Sequence, residues 1–149
     1  MIRVLFICHG NICRSAMAEA ICRAMLEARG IYDVEVDSAA TSREEIGNPM
    51  YPPAQEKLRE KGVPIGNHRA RQLTKEDYAA YDWLIGMDAA NMRNMARITG
   101  GDPVGKMYRM LELCGEARDI ADPWYSGDFE QTYQDLRKGL EAFLMRIEG

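Results

Sequence analysis

The sequence contains neither a G-x-x-x-x-G-K-[ST] nor a G-x-G-x-x-G pattern, so both of the glycine-rich turns that commonly cradle a nucleotide are missing. Its four cysteines are too few for a disulfide scaffold, and no CxxC pair with a matching second pair suggests zinc. No apolar run approaches the length needed to cross a bilayer, and a net charge of −4 leaves no chain-wide basic footprint for nucleic acid. Met1-Ile2-Arg3 leads straight into a strand pattern without signal-peptide anatomy, so a cytoplasmic protein is expected. There is no repeat and no low-complexity tract. What remains is a chain of 149 residues, 46% hydrophobic, the size of one compact domain with a proper core. A single domain over 1–149 is expected, with a monomer as the default state.

Apolar strand-like runs at Arg3–Ile7, Val34–Ser38, Asp82–Met87 and Lys106–Leu111 alternate with helical patterns. That alternation predicts an α/β fold, a parallel sheet between helical layers with its first strand central. A first helix runs from Ser15 to about Arg29, with Ala18, Ile21, Cys22 and Met25 at core spacing, and stops at Gly30. Pro52–Lys61 reads as a second helix, Thr74-Lys75-Glu76-Asp77 as a capping-box start to a short one, and Phe129–Ile147 as a long amphipathic one. Cys22 and Cys114 read as buried fillers, and Met92 and Met95 as core residues.

Between the first strand and first helix lies Cys8-His9-Gly10-Asn11-Ile12-Cys13-Arg14-Ser15, a C-x5-R-S loop. Gly10 and Asn11 permit the backbone angles that curl successive N–H groups inward, and the helix aims its positive end at the same point. A phosphate suits that concavity. The same field favours a thiolate at Cys8, while the planar fork of Arg14 can grip two oxygens of a tetrahedral anion. A lone cysteine ending a strand is ordinarily a small packed residue; the surrounding pattern is what makes Cys8 a candidate nucleophile. Cys13, across the loop, is a candidate partner for a reversible disulfide that would protect Cys8 from over-oxidation.

Thiolate attack on a phosphate ester expels an alkoxide or phenoxide, which needs a general acid. Asp122 supplies a loop carboxylate held extended by Pro123, beside Trp124 and Tyr125, whose rings can flank a ring-bearing substrate.

Taken together, the V-L-F-I-C-x-G-N-I-C-R-S start, Asp37-Ser38-Ala39, His68 through Asp77, Met87-Asp88 and Asp122-Pro123 resemble the low-molecular-weight protein tyrosine phosphatase family over nearly the whole chain. The resemblance implies a three-layer α/β/α domain with a four-stranded parallel sheet and the phosphate loop after strand 1. It implies that Cys8 forms a phosphocysteine, that Arg14 and the loop amides from His9 onward hold the phosphoryl oxygens, and that Asp122 serves as acid and then base. Ser15 would donate to the Cys8 sulfur, and Asn11 would take a strained conformation supported by Ser38, His68 and Asp88. Substrates would be phosphotyrosine proteins, inorganic phosphate the product, with no metal or other cofactor.

Two related chemistries and one other class compete. Arsenate reductases of similar fold require a further cysteine pair beyond the third strand, and residues 82–89 hold no cysteine. Protein-arginine phosphatases of this family tend to carry threonine where this chain has Ile12, whose apolar side chain suits a phenyl ring better than a guanidinium. A phosphotyrosine-binding module that captures without turnover would need the anion loop but no leaving-group acid. The chain also departs from the family pattern. Ala16 replaces a common proline, and Glu44 stands where relatives often place an aromatic, so Glu44 and Glu45 form an acidic rim expected to favour neutral or basic phosphopeptides. Trp124 replaces the first of two tyrosines, leaving Tyr125 as the loop's one aromatic phosphoacceptor.

Overall fold

In the computed structural model, which describes residues 1–148, the strands β1 (Ile2–Cys8), β2 (Val34–Ala40), β3 (Trp83–Gly86) and β4 (Met107–Arg109) form one sheet in the order β2-β1-β3-β4. Gly149, the last residue of the expected domain, lies outside the described residues. All three pairings are parallel, with β1 flanked by β2 and β3. The strands are connected by the helices α1 (Arg14–Ala28), α2 (Pro52–Glu60), α3 (Asp77–Ala80) and α4 (Ala89–Thr99), and the chain ends with α5 (Pro123–Ser126) and α6 (Phe129–Glu148).

Side chains alternate across a strand, so β1 feeds two cores. Val4, Phe6 and Cys8 pack with Met17, Ile21, Leu140 and Phe143 of α1 and α6, while Leu5 and Ile7 pack with Leu84, Tyr81 and Met95 on the α4 side. Being covered on both faces explains why β1 reads as an unbroken apolar run. It also places Cys8 at the carboxyl edge of the sheet, where ligands bind in open parallel folds. Gly86 allows α4 to sit close to that edge, because a Cβ there would meet the Met95 and Met92 sulfurs at 2.8 and 2.9 Å.

Three expectations need correction. The apolar run Lys106–Leu111 is only partly a strand: β4 ends at Arg109, and Met110–Cys114 form a 3-10 helix that buries Met110, Leu111 and Leu113 against the α6 side of the sheet. A short apolar run has the same composition in either conformation. Cys114 is half-buried, its thiol donating to Leu111 O at 3.2 Å, whereas Cys22 is wholly buried. The expected capping box at Thr74 is half made. The Asp77 carboxylate accepts from the Thr74 amide at 2.8 Å, but the Asp77 amide donates to the Thr74 backbone carbonyl, not its hydroxyl.

Candidate active site

Residues 8–15 curl because their carbonyls are claimed from outside. Cys8 O accepts from Thr41 N at 2.9 Å, His9 O from Ser42 N at 3.0 Å, and Ile12 O from Tyr51 N at 2.9 Å. A trans peptide holds its N–H opposite its C=O, so each outward carbonyl turns the next amide inward. Within this curl Asn11 adopts φ 61°, the single left-handed non-glycine residue among those described. Its fully buried side chain holds the turn: Nδ2 donates to Ser15 Oγ at 2.8 Å, while Oδ1 accepts from His68 Nε2 at 2.7 Å and from Arg71 N at 3.2 Å.

Three donors converge on the Cys8 sulfur. The amides of Asn11 and Ser15 each reach it at 3.4 Å, and Ser15 Oγ lies 3.0 Å away. Asn11 Nδ2 donates to that hydroxyl, whose own proton has two acceptors in reach, the sulfur at 3.0 Å and Ala39 O at 3.5 Å; the nearer one, the sulfur, is the partner that a thiolate at Cys8 would favour. Helix α1 begins at Arg14 with no side-chain cap, so the sulfur itself sits where a capping acceptor would, in the field of the helix's positive end.

Arg14 is buried and held by one nitrogen. Nη1 donates to Asp88 Oδ2 at 2.7 Å and to Ile120 O at 2.9 Å. Nε has no hydrogen-bond partner, and Nη2 has only a 3.5 Å ion-pair contact with Asp122 Oδ2. The Nε and Nη2 edge is the bidentate side of the fork, and it is the side left to bind an anion. Burial alone would lower this guanidinium's pKa, but Cys8, Asp88 and Asp122 around it raise it above its ordinary value, so it is a permanent cation. The two aspartates are built alike. Asp88 caps α4 by accepting from Asn91 N at 2.7 Å, Asp122 caps α5 by accepting from Trp124 N at 3.0 Å, and each turns its other oxygen to Arg14. Burial, then the proximity of Cys8, pushes the Cys13 thiol well above its ordinary range, so Cys13 stays protonated.

A cavity of about 110 Å³ opens over this floor, lined by Cys8, Ile12, Cys13 and Arg14 below and by His9, Glu44, Glu45, Asp122, Trp124 and Tyr125 around the mouth. The chain matches the family model described as low molecular weight phosphotyrosine protein phosphatase over residues 3–149. It belongs to that family. Among curated relatives it is 37% identical to the low molecular weight protein-tyrosine-phosphatase YfkJ of Bacillus subtilis, over 99% of this chain and 97% of the relative. The crystal structure of YfkJ superposes with a TM-score of 0.95, covering 99% of this chain and 95% of that one. The low molecular weight phosphotyrosine protein phosphatase of Homo sapiens is 41% identical over 95% of this chain and 92% of its own. A drosophila arginine phosphatase also shares the fold, with a TM-score of 0.88 at 29% identity, covering 98% of each chain.

Within this phosphatase fold Ser38 and Asp88 stand differently from their expected places beside Asn11. Ser38 donates to Glu19 Oε1 at 2.6 Å, and Glu19 in turn lies 3.4 Å from His68 Nδ1, so Ser38 supports Asn11 at two removes. Asp88 serves Arg14. Sequence reasoning missed Glu19, Asp37, Arg71 and Ile120. Glu19 had a visible signal, an acid among the apolar residues of α1's buried face; a backbone carbonyl such as that of Ile120 has none. Among the described residues, Glu19, Asp37 and His68 form the one group of three whose ligand-type atoms lie within 4.8 Å of one another. All three are already engaged: Glu19 accepts from Ser38 and Arg23, Asp37 from the Ser38 amide and the Tyr81 hydroxyl, and His68 bonds Asn11.

The phosphatase rim is less uniformly acidic than its residues suggest. Glu44 pairs with exposed His9 at 2.8 Å, and Glu45 accepts from Asn48 at 2.6 Å. Opposite, Trp124 packs on Tyr51 with centroids 4.7 Å apart, while Tyr125 is 82% exposed.

Proposed function

We propose that this phosphatase hydrolyses phosphotyrosine in proteins through a covalent phosphocysteine on Cys8. The Cys8 thiolate attacks phosphorus, the aryl oxygen leaves with a proton from Asp122, and a sulfur–phosphorus bond replaces the oxygen–phosphorus one. Asp122, now a carboxylate, takes a proton from water as that water attacks phosphorus, and inorganic phosphate leaves with Cys8 restored as thiolate. Arg14 holds two equatorial oxygens through its Nε and Nη2 edge, and the inward amides of residues 9–14 hold the rest, a preformed positive field for the charge of the transition state. His68 and Ser38 act by keeping Asn11 in place, and Asp88 by holding Arg14.

The observation that carries this reading is the buried, unpartnered Nε of Arg14 above a sulfur that receives three donors. Buried donors without acceptors are costly, and a tetrahedral dianion would satisfy this one. Ile12 in the pocket lining offers a phenyl ring an apolar contact and a guanidinium no acceptor, which favours tyrosine over arginine phosphate. The fold-level likeness to an arginine phosphatase keeps phosphoarginine as the second reading. Four free thiols suit a reducing compartment, so we assign the protein to the cytoplasm.

The test is metal-free hydrolysis of phosphotyrosine, phosphoarginine and phosphoserine peptides by wild type, Cys8→Ser and Asp122→Ala. Turnover selective for tyrosine, abolished by the cysteine change and cut by about 10²–10⁴ without the acid, is expected. Preference for phosphoarginine would establish the second reading, and tight phosphopeptide binding without turnover would make the protein a binding module.

A further inference from the structure

We propose that Asp119, three residues before the acid and outside the cavity lining, is a positioning residue that sets the aim of both Arg14 and Asp122. The inference rests on the phosphatase reading above. Asp119 Oδ1 accepts from Ala89 N at 3.0 Å and from Arg109 Nη1 at 3.1 Å. One residue on, Ile120 N donates to Met87 O at 3.0 Å. Segment 119–120 is therefore fastened to segment 87–89 by two rungs, one made by a backbone carbonyl and one by the Asp119 carboxylate.

Those two segments supply the two acceptors that fix Arg14. Asp88, between the rungs on one side, holds Nη1 at 2.7 Å; Ile120 O, on the other, holds it at 2.9 Å. The guanidinium is rigid and planar, so the separation of these acceptors determines how its Nε and Nη2 edge points into the cavity. Asp122 follows two residues after Ile120, and its Oδ2 contacts Nη2 of the same fork. A shift of segment 119–122 away from 87–89 would thus turn the anion-binding edge and carry the acid with it.

Asp119 is half-exposed, and an exposed ion pair with Arg109 alone would be worth little. What separates it from an ordinary surface carboxylate is the backbone amide it also accepts. That amide opens α4, the helix capped by Asp88, and Arg109 ends β4, paired with Gly86 of β3. The acid-bearing loop is thereby referenced to the sheet and to α4.

Three variants of the full chain test this: Asp119→Ala, Asp119→Asn, which keeps the Oδ1 acceptor, and Ala89→Pro, which deletes only the donor. Proline is well tolerated at a helix's first position, and Asp88 is already extended as a residue before proline must be. The readouts are inhibition by inorganic phosphate, kcat/KM for phosphotyrosine against 2,4-dinitrophenyl phosphate, whose leaving group needs no acid, and the melting temperature. For Asp119→Ala we expect about tenfold weaker phosphate inhibition and a loss of about 10–100-fold on phosphotyrosine, with a smaller loss on the dinitrophenyl ester. Ala89→Pro should move in the same direction, and Asp119→Asn should recover most of the loss. A lowered melting temperature with phosphate inhibition and the ratio of the two substrates unchanged would show a merely structural residue and overturn the proposal. If Asp119→Ala does not fold, Ala89→Pro decides by the same criteria. Were wild type to bind phosphate yet turn over no aryl phosphate, the functional reading would fall, and phosphate affinity in the variants would still decide whether Asp119 aims Arg14.

Discussion

Ser15 Oγ lies 3.0 Å from Cys8 Sγ, nearer than its other acceptor, Ala39 O at 3.5 Å, and accepts from Asn11 Nδ2 at 2.8 Å. One hydroxyl thus joins the strained turn to the nucleophile. In the proposed mechanism it stabilises negative sulfur, both the attacking and the leaving form of Cys8. Ser15→Ala should therefore slow breakdown of the phosphocysteine, lowering kcat by about 10–100-fold, the equivalent of about 1.5–3 kcal/mol for a hydrogen bond to a charged group. Rapid mixing should show a burst of phenol release followed by slow turnover; equal slowing of burst and steady state would count against the assignment.

The conformation of Asn11 can be separated from its hydrogen bonds. Asn11→Gly keeps the left-handed turn at no steric cost but loses the contacts to Ser15, His68 and Arg71; Asn11→Ala loses them and strains the backbone as well. Urea unfolding should place Ala about 1–2 kcal/mol below Gly, and Gly about 1–3 kcal/mol below wild type.

Charge at the rim should govern which sequences around the phosphotyrosine are preferred. Reversing Glu44 and Glu45 to lysine should shift the ratio of kcat/KM for basic over acidic phosphopeptides by about three- to tenfold toward acidic ones, and the shift should shrink as salt is added. Because Glu44 is paired with His9, Glu45→Lys alone should account for more of the change than Glu44→Lys alone. A ratio that did not move would remove the rim from the account of specificity.

Cys13 stays a thiol beside Cys8, the proposed nucleophile, and neither is in a disulfide. Peroxide converts the Cys8 thiolate to a sulfenic acid, which can condense with the Cys13 thiol to a disulfide and water. Inactivation by brief peroxide should therefore be reversed by dithiothreitol in wild type and become largely irreversible in Cys13→Ser, with intact-mass measurement distinguishing the loss of two hydrogens from the gain of two or three oxygens.

The buried Cys22 offers a pH test of the core. Burial pushes its thiol from 9.0 up to about 12. As pH rises the unfolded chain loses this proton first, so the native advantage is complete below about 9 and is lost as pH climbs toward 12. The slope is about 1.4 kcal/mol per pH unit. Between pH 9.5 and 10.5 wild type should lose about that much more stability than Cys22→Ala, since other groups that titrate there, such as Tyr81, are common to both proteins.

The parallel sheet with β1 inside it was legible because strands and helices alternate with distinct local patterns; the full order β2-β1-β3-β4 came only with the fold. The apolar run before Cys8, the 3.6-residue spacing of α1 and the glycines after the helices are local signals that tertiary contacts had only to agree with. Lys106–Leu111 was misread where that signal was shortest: three residues of strand and the first two of a 3-10 helix share one run, and the burial of Met110 and Leu111 against the α6 side of the sheet decided between them.

For the site, sequence alone determined which residues come together: Cys8, Arg14 and Ser15 lie on one curled loop, where spacing sets geometry, and Asp122 before proline is a recognisable loop carboxylate. What only the tertiary structure decided is which groups hold these in place. Asp88 turned out to grip Arg14, Ser38 to act through Glu19, and the carbonyls of Cys8, His9 and Ile12 to be drawn outward by Thr41, Ser42 and Tyr51. These are hydrogen bonds between segments far apart in the chain, many of them through backbone atoms that every residue possesses. Such bonds leave no mark on residue type, and so they exist as information only once the chain has folded.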